Sequence, residues 1–248
     1  MKEPAALAHE AIHETVEQVL SGDVRGRLLD VPTGEGALAK RLLRLGFDVE
    51  CADLYPGIFK LAGKSATEAD LDGRLPYNDA SFDIAVCVEG LEHIENPANA
   101  IREFARILRP GSTLIVSVPN IMNIEERLKW LFSGYTSHFK PLSRPVLDSI
   151  TDEFGGMEEI ALHVNPIGYS EVRYLLEKNG FELERVVPDA TKVRLWLFAP
   201  LVFLIRIASK FTSQSKRRSR WTDELNSDPV LLGGNTLIFR ARKKEVRS

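Results

Sequence analysis

The sequence predicts an α/β fold with a mostly parallel sheet, and three observations lead to that prediction. Short apolar runs of strand character alternate with helical segments of about ten to fifteen residues, which is typical of βαβ units. Polar residues follow the ends of several of these runs. The composition, 44% hydrophobic and 27% charged in 248 residues, is that of an ordinary globular chain of one domain.

The first half of the chain is the regular part. Residues 1–22 are predicted to form an amino-terminal helical segment with its helix over 4–20, since Pro4 suits a first helical turn. The pattern then predicts strands over 27–31, 47–52, 81–88 and 112–118, helices over 36–45 and 98–108, and a short third strand before Asp70.

After Asn120 the pattern loosens, and we interpret residues 121–165 as a cap inserted over the ligand-binding edge of the sheet. The remaining elements are predicted helices over 124–132 and 170–179 and strands over 181–187 and 236–241. The chain is thus expected to be one domain, 1–248, with its ligand-binding core over 25–120 and a carboxyl-terminal part over 166–248.

Charge and cysteine content exclude several classes of protein. The net charge of −3 argues against the strongly basic footprint of a nucleic-acid-binding chain, so no nucleic-acid partner is expected. Cys51 and Cys87 lie in apolar runs, where they fit buried core thiols better than a disulfide or a metal knuckle. The acidic start of the chain lacks the features of a secretory signal, so a cytoplasmic location is expected.

Four polar residues stand at predicted strand ends: Asp30, Asp53, Glu89 and Asn120. The carboxyl ends of parallel strands meet at one edge of a sheet, and ligands of α/β proteins bind there. The sequence therefore predicts a binding site that these residues border.

The segment after the first strand, LLDVPTGEGALAKRL over 28–42, predicts a tight loop that a ligand can approach closely. Gly34 and Gly36 are the expected contact residues, because glycine tolerates such turns and the following helix start favours negative charge. With Ala39 they also match the loose dinucleotide pattern G-x-G-x-x-G/A.

Acidic residues around this loop suit the parts of an adenosyl ligand. Asp30 can meet a cationic amine, and Asp53, 19 residues after Gly34, can accept from ribose hydroxyls. Asp70 follows the short third strand, where it suits an adenine amino group. Taken singly, Asp30 and Asp53 also fit helix caps or turn residues, and Asp70 also fits a solvated loop acid, so the prediction depends on the ordered set.

Over roughly residues 25–120 this set resembles the class I S-adenosylmethionine-dependent methyltransferases, especially the small-molecule enzymes. The residues that bear the resemblance are Asp30-Val-Pro-Thr-Gly34-Glu-Gly36, Asp53, Asp70-Leu71, Leu75-Pro76, Ser81-Phe82-Asp83, Leu91-Glu92-His93 and Leu108-Arg109-Pro110-Gly111. The resemblance implies a Rossmann-like, mostly parallel seven-stranded sheet with an antiparallel carboxyl-terminal strand, and S-adenosylmethionine as cofactor.

The resemblance also implies roles for individual residues. Asp30, Gly34 and Gly36 would surround the methionine portion and ribose, and Asp53 would hold the ribose. Adenine would be contacted by Leu54, Asp70 and Leu71. The sulfonium would lie above Glu89 and Gly90. The sequence departs from the family at Pro32, which stands where the first loop glycine is expected and removes one backbone donor.

At the acceptor side, His93 is the candidate base, and its alternative is packing at a helix start. Residues 87–97 resemble the matching stretch of ubiquinone-pathway O-methyltransferases, so Glu89, Glu92 and His93 are a candidate site for Mg²⁺. His163 begins a segment that resembles the late region of small-molecule methyltransferases, which places a histidine beside the acceptor. Tyr169 and His138 are weaker candidates for the same pocket.

Residues 192–220 hold eight Lys or Arg and no acid, around the apolar run 195–205. The run is shorter than the roughly 20 residues of a membrane span, but an apolar helix flanked by cations suits an anionic lipid surface. A buried cap helix followed by a solvated basic loop is the alternative.

The combined expectation is methyl transfer from S-adenosylmethionine to an oxygen of a small or lipid- or glycan-linked acceptor, at the cytoplasmic membrane surface. Two alternatives remain at this stage. The glycine pattern allows a nicotinamide-dependent oxidoreductase, and Pro32 with the basic segment allows a non-catalytic adenosyl-binding module at a membrane.

Overall fold

A computed structural model describes residues 3–154, 157, 161–192 and 197–245. Within these residues one sheet contains seven strands, in the order β3-β2-β1-β4-β5-β7-β6. The strands are β1 (Arg27–Asp30), β2 (Asp48–Asp53), β3 (Ala66–Glu68), β4 (Phe82–Cys87), β5 (Leu108–Pro119), β6 (Phe181–Pro188) and β7 (Thr236–Lys243).

Parallel pairing joins β3, β2, β1, β4 and β5, whereas β7 is antiparallel to both β5 and β6. The predicted fold class, a mostly parallel seven-stranded sheet with an antiparallel carboxyl-terminal strand, is therefore confirmed. Strand order reverses at β1 and β4, so the ends of these two strands lie side by side at the switch point where such sheets bind ligands.

Helices cover the sheet on both faces. Their bounds are α1 (Glu10–Leu20), α2 (Ala37–Arg44), α3 (Pro97–Ile107), α4 (Ile124–Ser133), α5 (Arg144–Phe154), α6 (Tyr169–Lys178), α7 (Ala199–Lys210), α8 (Gln214–Ser219), α9 (Thr222–Leu225) and α10 (Asp228–Leu231). Successive strand residues face opposite sides, so Leu28 packs in the core beneath α1 and α2, and Leu29 packs in the core with α3 and α6.

The amino-terminal helix begins later than the sequence pattern indicates. It starts at Glu10, and residues 3–9 are not helical, so the prediction of a helix from residue 4 is wrong. The reason is tertiary: the backbone N–H of Ala5 donates to Glu35 Oε2 over 2.9 Å, and Leu7 lies against Gly34.

The cap region and the basic segment meet in the structure. Ile124 of α4, Val202 of α7 and Leu231 of α10 form a small core of their own. Arg127 of α4 reinforces this contact by donating to the side-chain oxygen of Asn226 over 3.0 Å. None of the helices in the described part of the chain has both the length and the apolar composition needed to cross a membrane.

Candidate active site

A cavity of about 370 Å³ opens at the carboxyl ends of the parallel strands. Its volume lies in the range of small-molecule sites. Most of the predicted site residues border it, namely Gly34, Asp53, Leu54, Asp70, Leu71, Glu89, Gly90, His93 and His163. The structure thus brings together residues that span most of the chain.

The loop between β1 and α2 is shaped by its glycines. Gly34 has φ +55° and Gly36 has φ +93°, a left-handed region in which side-chain-bearing residues are strained. At Gly36 a Cβ would lie 2.7 Å from Cε2 of Phe59, so a larger residue would have to displace the Phe59 ring. Gly36 stands just before α2 and does not border the cavity; Gly34 does.

Asp53 ends β2 and faces the cavity with only 5% of its surface exposed. Its carboxylate accepts backbone N–H bonds from Gly34 at 2.8 Å and Tyr55 at 2.9 Å. Each carboxylate oxygen has two lone pairs, so capacity remains for two ribose hydroxyls. The residue therefore both fixes the glycine loop and presents acceptors to a ligand.

Asp30 occupies a different place from the one expected for an amine contact. It is 1% exposed, does not border the cavity, and accepts from the Thr33 hydroxyl over 2.8 Å. Burial raises the pKa of Asp30 to about 7. The side chain thus holds the loop residue Thr33, which does border the cavity.

Pro32 closes the loop against the end of β4. A Cβ at Gly90 would lie 2.7 Å from Cδ of Pro32, so the proline ring sits directly on the glycine. Both residues border the cavity. Pro32, which stands where the family has a loop glycine, therefore fits because Gly90 has no side chain.

Glu89 has an unusual backbone. Its φ is +48°, a conformation that costs energy in a residue other than glycine and that occurs preferentially at functional sites. Its backbone N–H donates to Ser117 Oγ over 2.8 Å, and that hydroxyl donates to Glu89 Oε1 over 3.0 Å. Burial raises the pKa of Glu89 to about 7.

Glu92 is fully buried, and neither of its carboxylate oxygens has a hydrogen-bond partner among the described residues. Burial, and then the charge of Glu89, holds the pKa of Glu92 well above its usual range. Ligand atoms of Glu92, His93 and His163 all lie within 4.8 Å of one another. Glu89, predicted as the third ligand, is not in this group; His163 takes that place.

The two histidines are held by the polypeptide of the cap. His93 Nδ1 lies 3.0 Å from the carbonyl oxygen of Leu162, so the proton belongs on Nδ1 and Nε2 is the basic nitrogen. The His93 and His163 rings meet edge to face, with centroids 4.7 Å apart. Burial lowers the pKa of His163 to about 4, which keeps this ring neutral at neutral pH.

Two further predicted residues lie elsewhere. His138 stacks beside His163, with ring centroids 6.3 Å apart, but does not border the cavity. The Tyr169 side chain packs in the core, and its hydroxyl donates to Glu224. Asn120 also turns away, since its amide donates to the carbonyl oxygen of Val230 and holds the chain before β7.

The structure adds cavity residues that sequence reasoning missed. Ala5, Leu7 and Ala8 come from the non-helical start of the chain, and His13 from α1. No local signal predicts them, because their place beside the cavity depends on the tertiary packing of the amino-terminal residues.

Comparison with known proteins agrees with this geometry. A family model described as a methyltransferase domain matches residues 29–116. A ubiquinone biosynthesis O-methyltransferase of Psychrobacter cryohalolentis is 30% identical over 188 residues, covering 67% of this chain and 71% of the relative. One of Xanthomonas campestris pv. campestris is 33% identical over 140 residues, covering 48% of this chain and 57% of the relative.

Solved structures share the fold. An S-adenosylmethionine-dependent methyltransferase from Mesorhizobium loti superposes with a TM-score of 0.54 at 18% identity, covering 96% of this chain and all of that one. One from Archaeoglobus fulgidus gives 0.56 at 14% identity, covering 93% and 94%.

The fold and the cavity define a Rossmann-like α/β protein with a small-molecule-sized cavity at the switch point of the sheet. This chain belongs to the class I S-adenosylmethionine-dependent methyltransferases. It is an enzyme that uses S-adenosylmethionine, so neither the nicotinamide alternative nor the non-catalytic one is retained.

Proposed function

We propose that this enzyme methylates a hydroxyl group of a small or lipid-linked acceptor. The observation that carries the proposal is the grouping of Glu92, His93 and His163 beside Glu89 and Gly90, where the methyl donor's sulfonium is expected. The relatives named as O-methyltransferases support oxygen as the acceptor atom.

The cofactor supplies an activated methyl group, and the chain's own residues orient the reactants and handle the acceptor's proton. A hydroxyl must lose its proton as it attacks. His93 Nε2 is the basic nitrogen of a ring that the Leu162 carbonyl orients, which suits it to accept that proton. Its neighbour His163 stays neutral and adds no repelling charge.

Glu92, His93 and His163 fit a divalent cation as an alternative, because a buried carboxylate without a hydrogen-bond partner among the described residues needs a positive charge or a proton. His93 Nε2 would then bind the cation and would not accept the acceptor's proton. A bound cation would lower the pKa of an acceptor hydroxyl. Two imidazoles with one carboxylate favour zinc, manganese or iron over Mg²⁺, which prefers oxygen ligands. The Mg²⁺ expected from the sequence is the less suited ion for this donor set.

A membrane surface is the proposed workplace, on its cytoplasmic side. Large apolar side chains of α7 are exposed, including Phe203 at 63% and Leu204 at 59%. On α4, which packs against α7, Leu131 is 71% and Phe132 is 83% exposed. Exposed apolar groups beside a basic segment favour an anionic lipid surface. Leu195 and Trp196 of the predicted apolar run lie outside the described residues.

The test is to incubate the enzyme with S-adenosylmethionine bearing a deuterated methyl group and a lipid extract, and to follow the label by mass spectrometry. Label on an oxygen of a lipid-soluble product supports the proposal, and His93→Gln should lower its formation. Label found only on nitrogen or carbon would contradict O-methylation. Label confined to water-soluble products would contradict a lipid-linked acceptor.

A further inference from the structure

Residues 3–9, which we call the amino-terminal strap, lie over the glycine loop. Ala5, Leu7 and Ala8 of the strap border the cofactor cavity. A Cβ at Gly34 would lie 2.9 Å from Cδ1 of Leu7, so the leucine side chain rests directly on the loop. The strap therefore forms one wall of the cavity at the carboxyl ends of the strands.

Glu35 joins the strap to the chain segment around Lys60. Its Oε2 accepts from the backbone N–H of Ala5 over 2.9 Å, and its Oε1 pairs with the Lys60 ammonium. The backbone N–H of Lys60 also donates to the Glu35 carbonyl oxygen over 3.1 Å. Phe59 and Leu61, on either side of Lys60, lie over Gly36. One residue of the glycine loop thus fastens both chain segments that cover the loop.

The attachments of the strap are weak. Besides the hydrogen bond from Ala5, the strap has an ion pair between Glu3 and Lys40 at 2.6 Å, and the glutamate side chain is 84% exposed. Leu7 is itself 58% exposed. Exposed ion pairs add little stability, and segments with few buried contacts open at low cost. The strap covers the glycine loop in the structure, and Ala8 is its partly buried contact with the core.

We propose that the amino-terminal strap is a cover that opens to admit S-adenosylmethionine and release S-adenosylhomocysteine, and that Glu35 is the positioning residue that holds it closed. The proposal rests on S-adenosylmethionine occupying this cavity. A cover slows entry and exit together, because the ligand passes only while the cover is open. A residue that only contacts the ligand changes the dissociation rate and the affinity, with little change in the association rate.

Two variants separate these roles. Glu35→Ala removes the attachment, and Glu68→Ala, an exposed acid on β3, is its control with the same change of charge. Ala5→Pro removes the donor N–H while leaving the Glu35 side chain in place. Association and dissociation rates of S-adenosylhomocysteine would be measured by surface plasmon resonance on the immobilised full chain, and thermal unfolding would confirm that each variant is folded.

We expect both rates to rise by up to about five-fold in Glu35→Ala and Ala5→Pro, the upper end of the range for losing one exposed polar attachment. Their ratio should change less, and Glu68→Ala should match the wild type. Unchanged rates in both variants would overturn the proposal that the strap is a cover. A faster dissociation alone, with weaker affinity, would make Glu35 a ligand contact instead. If the wild type binds no S-adenosylhomocysteine, the assignment of this cavity to the cofactor is wrong, and the cover proposal fails together with it.

Discussion

The backbone N–H of Gly34 donates to Oδ2 of Asp53 over 2.8 Å, which ties the loop after β1 to the end of β2. The two residues are 19 positions apart. Gly34 lies in the loop that follows β1, and Asp53 is the last residue of β2, which pairs with β1 in parallel. The loop that should cradle the methionine portion and the carboxylate that should hold the ribose therefore move as one unit. Loss of either partner is expected to affect the whole cofactor site.

Asp53→Ala should weaken binding of S-adenosylhomocysteine by ten-fold or more. The variant removes acceptors for the ribose and also releases the Gly34 loop, and each lost charge-assisted bond costs about 1.5–3 kcal/mol at most. Calorimetry on the folded variant measures the change. Asp48→Ala, at the exposed start of the same strand, is the control and should bind normally. Equal affinities for both variants would remove Asp53 from the site.

Asp30 should make stability depend on pH. Its folded pKa of about 7 lies above the ordinary value of 3.8, so the folded state holds the proton more tightly. The stabilisation is complete below about pH 4 and is lost as the pH rises through 7. Each pKa unit of this shift corresponds to about 1.4 kcal/mol, so the free energy of unfolding should fall by up to about 4 kcal/mol over this pH range.

Urea unfolding of the wild type and of Asp30→Asn between about pH 4.5 and pH 8 tests this dependence. Because Asn cannot ionise, Asp30→Asn should lose less stability over that range than the wild type. Asp48→Asn serves as the exposed control. A slope in Asp30→Asn as steep as that of the wild type would show that Asp30 does not titrate near neutrality.

Removing metal should lower methyl transfer if Glu92, His93 and His163 hold a cation. Chelation should reduce turnover, and zinc or manganese should restore it better than magnesium. At a hundred-fold excess over Kd a bound cation stabilises the folded state by about 2.7 kcal/mol, or roughly 5–10 °C in a chain of this size.

That thermal shift gives a readout independent of activity. Glu92→Gln and His163→Ala should abolish it, whereas Glu89→Gln should retain it, because Glu89 bonds to Ser117 and stands outside the ligand group. A wild type that shows no shift with any of these ions leaves His93 as a base without metal. If Glu89→Gln loses the thermal shift, Glu89 is a metal ligand, as the sequence predicted.

The enzyme should bind anionic vesicles reversibly, and binding should weaken with salt because exposed charges are screened within about 8 Å at physiological ionic strength. Replacing Lys216, Arg218 and Arg220 with Gln should lower vesicle affinity about ten-fold or more, since each cation contributes about 1 kcal/mol at such a surface. Arg217 is left in place, because it is half-buried and lies 3.7 Å from Asp223.

Co-sedimentation with anionic and neutral vesicles measures the effect. A control triple variant with Arg44, Arg74 and Arg102 changed to Gln removes the same charge from exposed positions on the cofactor half. Equal loss in both triple variants would indicate a general effect of charge. A wild type that stays in the supernatant with both vesicle types would contradict membrane binding, and the acceptor would then be a soluble molecule.

Most of the predicted site residues border the cavity, and they could be found in the sequence because their signals are local. The turn chemistry of Gly34, and the positions of Asp53, Glu89 and Gly90 after apolar strands, are visible in short stretches of sequence. The alternation of strands and helices is likewise a local pattern, which is why the fold class was confirmed. The same reasoning failed at residues 4–9, where helical periodicity competed with a contact to Glu35, thirty positions away.

The sequence by itself determined the α/β architecture, the glycine loop and the family, because periodicity, turn residues and motif order act over a few positions at a time. Only the tertiary structure decided that His163, and not Glu89, joins Glu92 and His93, and that Asp30 lies behind the loop and not in the cavity. His93 bonds to a carbonyl 69 positions later in the chain. Which residues meet across such distances is decided by how the cap and the strap pack on the sheet, and packing of that kind has no local pattern to read.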